Sequence, residues 1–414
     1  MPLNTSGSLS MGGSTSGQSI NLELGQSATA QLALNDASAR GLAGISSGPI
    51  SIFDFYGKSN TRYLYSWGYN LYGQLGLNDT TDRSSPVQIG SVSTWAKAAT
   101  GLYHTLAIQT NGTLWAWGFN HIGYLGLNDT TSRSSPVQVG SLSTWASVTN
   151  GGFYTLAIQT NGTLWSWGFN NQGQLGLNDT TSRSSPVQVG SLSTWTKISA
   201  GTDHSLAIKT DGTLWSWGRN DFGQLGLADI TNRSSPVQIG SLSTWASIVG
   251  GGAHTLAIQT NGTLWAWGRN QVGQLGLTDT TDRSSPVQVG SLSTWAHLFL
   301  GFTHTLAIQT NGTLWAWGSN SSGKLGLNDT TDRSSPVQVG SLSTWVNVFG
   351  GERHTLAIQS NGTLWAWGDN TFGGQLGLGD ITNRSSPVQV GSSTSWLTGV
   401  TTDSKGYHSV AIRG

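Results

Sequence analysis

The residues with the clearest chemical potential in this chain are aspartate–arginine pairs and histidines that recur at a fixed interval. Asp79 is followed four residues later by Arg83 in the segment DTTDRSSP, and equivalent pairs follow in six later repeats. A second series consists of the histidine directly before each TLAI-type segment, and Tyr154 replaces this histidine in one repeat. Its histidines are His104, His204, His254, His304, His354 and His408. Side chains of these types could perform acid–base catalysis or bind a metal ion.

The recurrence of both series in every repeat favours a role in folding. A requirement that all repeats share is a folding requirement, whereas a site belongs to one or two of them. We interpret each Asp as the cap of a turn and each Arg as its local ion-pair partner. We expect each histidine to hydrogen-bond a neighbouring strand, because metal ligands form compact clusters. The sequence therefore predicts no catalytic residue, no metal site, no cofactor and no enzymatic activity.

The composition excludes further classes of function. The 414 residues include 19 basic and 19 acidic side chains, so the formal net charge is zero. A neutral chain lacks the basic surface that binds nucleic acid, and we expect no nucleic-acid partner. Without cysteine there can be no disulfide and no thiolate ligand. No segment has the length of a membrane span, and no secretory signal is recognisable.

Tryptophan spacing indicates the elements that position these residues. The 20 tryptophans form three columns, and Trp67 and Trp117 show their interval of 50 residues. Within a repeat, HTLAIQ alternates like a strand, Asn111-Gly112 marks a hairpin turn, and LWAWG is the returning strand. A further strand starts at the proline of SSPVQV, and another follows STW. We expect four short strands per repeat, with the Trp-x-Trp pairs in the core.

Counting the strands predicts how the repeats close. The LWxWG-type strand at residues 63–68 has no hairpin partner before it, and the HSVAI strand at residues 408–412 has none after it. Pairing the two would leave no open sheet edge. The sequence thus predicts an all-β fold, a seven-bladed β-propeller over residues 61–414, preceded by a small module over residues 1–60.

The repeat GxxHTLAIxxNGxLWxWGxNxxGQLGL, with a later SPVQV, resembles that of the regulator of chromosome condensation family. The resemblance covers residues 61–414 and implies a seven-bladed propeller. That family includes exchange factors for a small GTPase, and Asp203 and Asp221 match positions that contact the GTPase there. The 50-residue interval leaves no room for the protruding wedge of exchange factors. Residues 1–60 contain only two basic side chains, Arg40 and Lys58, and so do not resemble the basic chromatin-binding tail of that family. We expect no exchange activity.

Residues 1–60 do not repeat, and they predict an anchor. Their apolar cluster needs a surface to pack against, because so short a segment makes a marginal core. The candidate anchor residues are Ile50, Ile52, Phe53, Phe55 and Tyr56. The pattern LND, R, LAG, SG, IS and FYGKS at residues 34–58 resembles a leader in structural proteins of tailed bacteriophages. This resemblance implies a virion-attachment module.

Two loop columns differ between blades and predict a partner-binding face. One is the variable part of WGxNxxG and the other is the dipeptide of GxxH, and both lie opposite the Asn-Gly turn. They are rich in aromatic side chains, which suits recognition on a rigid scaffold; neutral drift of loops is the alternative. The candidate residues are Tyr69, Tyr72, Tyr103, Phe119, His121, Phe153, Phe169, Asp203, Arg219, Asp221, Phe222, Arg269, Phe302, Glu352, Arg353 and Phe372.

The leading functional hypothesis combines the anchor with this face. It describes a structural protein of a tailed bacteriophage particle, located in the tail, tail fibre, baseplate or neck. Residues 1–60 would bind other virion proteins, and several copies of the propeller would bind a host-surface glycan or protein through avidity. One alternative is a cellular protein-interaction propeller or exchange-factor-like module. Another is a passive decoration protein without a ligand.

Overall fold

The computed structural model describes residues 61–397 and 406–414, and this part of the chain is almost entirely β-structure. Its only helical segment is a single 3-10 turn, Ser321–Gly323. The described residues contain no helix of the length and apolarity needed to cross a bilayer. The strands are β1 (Tyr63–Gly68), β2 (Arg83–Gln88), β3 (Trp95–Thr100), β4 (His104–Gln109), β5 (Leu114–Gly118), β6 (Arg133–Gln138), β7 (Trp145–Asn150), β8 (Tyr154–Gln159), β9 (Leu164–Gly168), β10 (Arg183–Gln188), β11 (Trp195–Ala200), β12 (His204–Lys209), β13 (Leu214–Gly218), β14 (Arg233–Gln238), β15 (Trp245–Gly250), β16 (His254–Gln259), β17 (Leu264–Gly268), β18 (Arg283–Gln288), β19 (Trp295–Leu300), β20 (His304–Gln309), β21 (Leu314–Gly318), β22 (Arg333–Gln338), β23 (Trp345–Gly350), β24 (His354–Gln359), β25 (Leu364–Gly368), β26 (Arg384–Gln389) and β27 (His408–Arg413).

Six sheets are four-stranded antiparallel blades built from consecutive strands. Blades 1 to 6 are β3–β6, β7–β10, β11–β14, β15–β18, β19–β22 and β23–β26. In blade 1, β4 pairs with β5 from His104↔Gly118 to Ile108↔Leu114, as the Asn-Gly turn predicts. The first strands of successive blades contact one another, so they are innermost and surround the propeller axis.

The seventh blade closes the ring with both ends of the repeat region. Strand β1 lies between β27 and β2 in one sheet, which confirms the predicted pairing of residues 63–68 with 408–412. Within the described residues this blade 7 has three strands, and Trp396 forms an antiparallel bridge with Arg413. The propeller unit comprises Leu64–Ser91 and Trp95–Arg413. Outside that unit, Arg62 and Thr94 form an isolated parallel bridge. The predicted anchor in residues 1–60 lies outside the described residues.

The outermost strands begin earlier than the sequence predicts. In blade 1 the strand begins at Arg133, not at Pro136. Gly118 faces Arg133, whereas Ala116 faces Val137, so the register shifts between these two pairs. The proline lies within this irregular stretch of an edge strand, where its missing N–H interrupts no ladder.

The three tryptophan columns differ in burial. The Trp of each Trp-Gly pair is fully buried, from Trp67 to Trp367, and the Trp of each STW segment is 1–4 % exposed. The first Trp of each Trp-x-Trp pair is only partly buried and packs against the edge of the core, so the predicted core position holds fully for the second Trp and in part for the first. Trp115 follows the hairpin turn, where solvent enters between blades, and its Nε1 donates to Thr113 Oγ1 at 3.0 Å.

Adjacent blades are joined by the buried tryptophans and by glycines that pack on them. Trp217 in blade 3 donates its indole N–H to the Gln174 carbonyl of blade 2, at 2.9 Å. Gly176 covers this indole with a φ of +73°, and a Cβ there would lie 2.7 Å from Trp217 Nε1. Equivalent glycines cover the Trp of each following blade. The glycine of GQLGL is therefore required by packing as well as by its left-handed backbone.

Replacing Gly176 by alanine is expected to lower the free energy of unfolding by about 3–5 kcal/mol. The Cβ adds left-handed strain and displaces the Trp217 indole from its carbonyl acceptor. Gly190→Ala is the matched control, because φ there is +61° and nothing lies within 4 Å of the added Cβ. That variant should lose only about 1 kcal/mol. Urea unfolding followed by tryptophan fluorescence measures both, and equal losses would contradict the packing explanation.

Candidate interaction face

The recurring Asp–Arg pairs form local structure in all seven repeats. Their Arg Nη2–Asp Oδ2 distances are 2.5–2.6 Å. In the first pair, Asp79 Oδ1 also accepts the Thr81 N–H at 2.9 Å. That hydrogen bond, together with Arg83, lowers the pKa of Asp79. The predicted turn cap and ion pair are confirmed.

The recurring histidines connect neighbouring blades. Five of them place Nε2 within 2.7–3.4 Å of a Thr or Ser hydroxyl of the next blade, which confirms the predicted hydrogen bonds. The prediction is wrong for His104, whose ring nitrogens have no hydrogen-bond partner. Thr155 of blade 2 occupies the place of the Thr and Ser residues that contact the other histidines, but its hydroxyl donates to Asn150 Oδ1 instead. Across residues 61–397 and 406–414, no three His, Asp or Glu side chains are grouped so that they could hold a metal ion.

The two variable loop columns lie on one face of the propeller, as predicted. Phe119 N donates to the Tyr103 carbonyl at 2.8 Å, and equivalent bonds join these loops in other blades. The Asn-Gly turns lie at the opposite strand ends, where Trp145 N donates to the Gly112 carbonyl. We call these two surfaces the variable face and the hairpin face.

Eight aromatic rings of the variable face form one continuous cluster. Tyr103 is its centre, with ring centroids of neighbours at 5.3–6.3 Å. The cluster extends from Tyr72 to Phe119 at 4.5 Å and from Tyr407 to Phe372 at 4.7 Å. This aromatic cluster consists of Tyr69, Tyr72, Tyr103, Phe119, Tyr124, Phe153, Phe372 and Tyr407. Its members belong to blades 6, 7, 1 and 2, which are adjacent in the ring.

The aromatic cluster is a half-buried surface with charged side chains only at its margin. Its outer rings are partly exposed, whereas Tyr124 is buried between Phe119 and Phe153. Burial raises the pKa of Tyr103, and that of Tyr124 to about 12, so these phenols stay neutral at physiological pH. His121 stacks on Phe119 at 6.0 Å. Such rings offer apolar contact area with hydroxyl groups for hydrogen bonding.

Blade 3 carries an ion-pair group on the same face, in which one arginine contacts two carboxylates. Arg219 Nε lies 2.7 Å from Asp221 Oδ2, and its Nη1 lies 3.6 Å from Asp203 Oδ2. Burial raises the pKa of Asp203, and Arg219 opposes that shift. The two acidic residues that match GTPase-contacting positions are thus held by one guanidinium.

The remaining predicted face residues lie outside the aromatic cluster or at its margin. The Arg269 guanidinium lies over the Phe222 ring at 5.0 Å, and Arg353 lies 5.7 Å from Phe372 and 3.6 Å from the carboxylate of Glu352. Phe302 is 40 % exposed. Within the described part of the chain, no ring contact joins Phe169, Phe222 or Phe302 to the aromatic cluster.

Three residues of this face were missed by sequence reasoning, although a signal existed for each. Tyr407 precedes His408 and so occupies the column of Tyr103 and Phe153. Tyr124 and Lys324 replace the Gln that the other blades carry in GQLGL. Lys324 is buried, which lowers its pKa to about 8, and its Nζ donates to the hydroxyls of Thr303 and Ser321 at 3.2 Å.

Comparison with known families identifies the repeat. The model of the regulator of chromosome condensation (RCC1) repeat matches seven times in succession. The matched residues are 63–108, 111–158, 161–208, 211–258, 261–308, 311–358 and 361–412. The chain belongs to the RCC1 repeat family. The seven matches confirm the family resemblance and the number of blades.

Solved structures of this fold superpose on the RCC1 propeller. Prp20p from Saccharomyces cerevisiae has a TM-score of 0.76 and 22 % identity, covering 86 % of this chain and 92 % of that one. Human WBSCR16 has a TM-score of 0.74 and 21 % identity, covering 85 % and 98 %. At these identities the likeness shows a common fold and nothing finer. A comparison with curated protein sequences finds no match.

Proposed function

We propose that this RCC1 propeller is a protein-interaction module that binds a protein partner through the aromatic cluster and performs no catalysis. The continuity of the cluster around Tyr103 carries the proposal. Aromatic side chains are enriched at protein interfaces because they supply large contact areas at low conformational-entropy cost. Here they stand on short loops fixed by β-blades, so little order is lost on binding.

Relatives with the same fold support a protein partner over a small molecule. Prp20p is described with its binding properties to Gsp1p and histones, and a further structure contains Kap60 bound to yeast RCC1 (Prp20). The carboxylates of Asp203 and Asp221, which match GTPase-contacting positions, are engaged by Arg219, and this favours an interaction module over an exchange factor.

The virion hypothesis remains a prediction. It depends on residues 1–60, which lie outside the described residues, and neither the fold nor the comparisons add support to it. A host-surface protein would be one partner of the proposed kind. The identity of the partner therefore separates a virion protein from a cellular one, and the interaction experiment decides between them.

Photo-crosslinking from the aromatic cluster tests the proposal. The photoreactive residue benzoylphenylalanine replaces Phe119 in the full chain, which is expressed in the organism that encodes it. We expect irradiation to give one discrete crosslinked protein, which mass spectrometry identifies. The same probe at Leu242 is the control, since that side chain is 47 % exposed in a loop on the hairpin face. Capture at both positions, or at neither, would contradict a partner specific to the variable face.

Once the partner is identified, truncation of the cluster should weaken binding. Replacing Tyr72 and Phe119 together by alanine is expected to lower affinity at least tenfold, because buried aromatic anchors dominate interface energies. Leu242→Ala should change affinity less than twofold. Surface plasmon resonance measures both, with circular dichroism confirming that each variant is folded. Unchanged affinity in the double variant would move the interface away from the aromatic cluster.

A further inference from the structure

A cavity on the propeller axis is lined by the innermost strands of blades 1 to 6, and one strand position has an unusual pattern. This position lies two residues after the Trp that begins each strand. The Trp is the same in all of these blades, whereas the residue two positions after it differs from blade to blade. Its occupants are Lys97, Ser147, Lys197, Ser247, His297 and Asn347. All are polar or cationic, although folding of a propeller blade requires neither property here.

The charged side chains that the described strands place in this cavity are of one sign. Its volume is about 360 Å³, and none of the described residues that line it is acidic. Lys97 Nζ donates to the Ala146 carbonyl at 2.7 Å, and Lys197 Nζ donates in the same way to the Ala246 carbonyl. Each ammonium group has three N–H donors, so two donors remain beside the cavity.

The burial of Lys97 lowers the pKa of its ammonium group through desolvation. Among the described residues that line the cavity there is no carboxylate to offset this effect. A half-buried ammonium of this kind is stabilised when an anion occupies the space beside it. The pair of lysines on blades 1 and 3 would share such an anion.

The described strands open the cavity towards the hairpin face. Lys197 and His297 are exposed near the hairpin face. Towards the variable face, Phe299 and Phe349 are 3 % exposed and form an apolar floor. Beyond them the loops of successive blades are joined by backbone hydrogen bonds, such as Gly152 N to the Thr202 carbonyl at 3.0 Å. A ligand would therefore enter from the hairpin face and stop at the polar ring.

We propose that this cavity binds a small phosphate-class oxyanion, orthophosphate or pyrophosphate, between Lys97 and Lys197. Lysine ammonium groups bind phosphate oxygens as point charges. His297, Ser247 and Asn347 supply hydrogen bonds to the remaining oxygens from the other blades. The site is separate from the aromatic cluster, so it does not depend on the proposed protein partner.

Calorimetric titration of the full chain with orthophosphate and pyrophosphate, at constant ionic strength, tests this site. We expect saturable binding, and none with acetate. The double variant Lys97→Gln, Lys197→Gln should bind at least tenfold more weakly, whereas Ser247→Lys, which adds a third ammonium group, should bind more tightly. Lys209→Gln is the matched control, because Lys209 lies over the Trp215 ring at 3.5 Å and outside the cavity; its affinity should be unchanged.

Three results would overturn the proposal: no saturable heat with either anion, equal affinity in the folded double variant, or an equal loss in Lys209→Gln. If the double variant does not fold, the single variant Lys197→Gln decides, since its side chain is exposed. Its affinity should fall at least threefold, and an unchanged value rejects the site.

Discussion

Acidification from pH 7.5 to pH 4.5 is expected to lower the free energy of unfolding of the propeller by roughly 8 kcal/mol. Three buried histidines account for this loss. Burial lowers the pKa of His104 and His408 to about 3 and that of His354 to about 4. In the unfolded chain the same side chains titrate near pH 6.5.

The direction follows from proton uptake. Because the pKa in the folded state lies below the pKa in the unfolded state, unfolding binds protons at any pH between the two. The stabilisation is complete above about pH 6.5 and is lost as the pH falls towards 3–4. At pH 4.5 each histidine contributes roughly 3 kcal/mol to this loss. The sum over the three histidines is as large as the whole stability of many ordinary domains. The lowered pKa of Asp79 acts below its ordinary value of 3.8, so the carboxylates weaken the fold at lower pH.

Urea unfolding at several pH values, followed by circular dichroism, measures this dependence. His104→Tyr is the informative variant, because its ring nitrogens have no hydrogen-bond partner and blade 2 already carries Tyr154 in the equivalent place. There the hydroxyl donates to the His204 carbonyl. We expect this variant to be spared roughly 3 kcal/mol of the loss at pH 4.5 while staying folded. Equal stability of the native chain at pH 7.5 and 4.5 would contradict the assignment.

The sequence predicts the ring because residues that every blade needs for folding recur at the same position of each repeat. Seven Trp-Gly pairs share one interval, and the unpaired strands at residues 63–68 and 408–412 complete the count. The half-burial of Trp115 could not be read in this way. Alternation gives the side of a strand on which a residue lies, but not how far solvent penetrates along the gap between two blades.

The candidate site was predicted as a face, but not as a cluster. Tyr103 contacts Tyr407 at 5.9 Å although they are about 300 residues apart, because closure of the ring brings blade 7 beside blade 1. Sequence columns place both residues on one face, yet they do not give contacts between blades. The sequence does not single out Lys97 and Lys197 for a similar reason, because only the fold places the first strands of six blades around one cavity.

Deleting residues 408–414 is expected to abolish folding of the propeller. This segment contains β27, whose side chains Val410, Ala411 and Ile412 are at most 3 % exposed. Burial of such residues contributes about 2 kcal/mol each for the larger ones. The strand also joins three blades, because His408 contacts Thr105 of blade 1 and Ser409 contacts His354 of blade 6. Its loss leaves β1 as an open edge and breaks the ring.

Gel filtration should therefore show an aggregated chain, and tryptophan fluorescence should show exposed indoles. Gly414 is exposed, so deleting it alone is the control and should leave both measurements unchanged. An excess of a peptide with residues 406–414 should restore part of the native signal, because binding to the folded form shifts the equilibrium by mass action. A folded, monomeric deletion variant would mean that six complete blades hold the ring without closure. Each four-stranded blade buries its indoles against its neighbours. Blades 1 and 6, which contact β27 directly, should therefore unfold before the other complete blades.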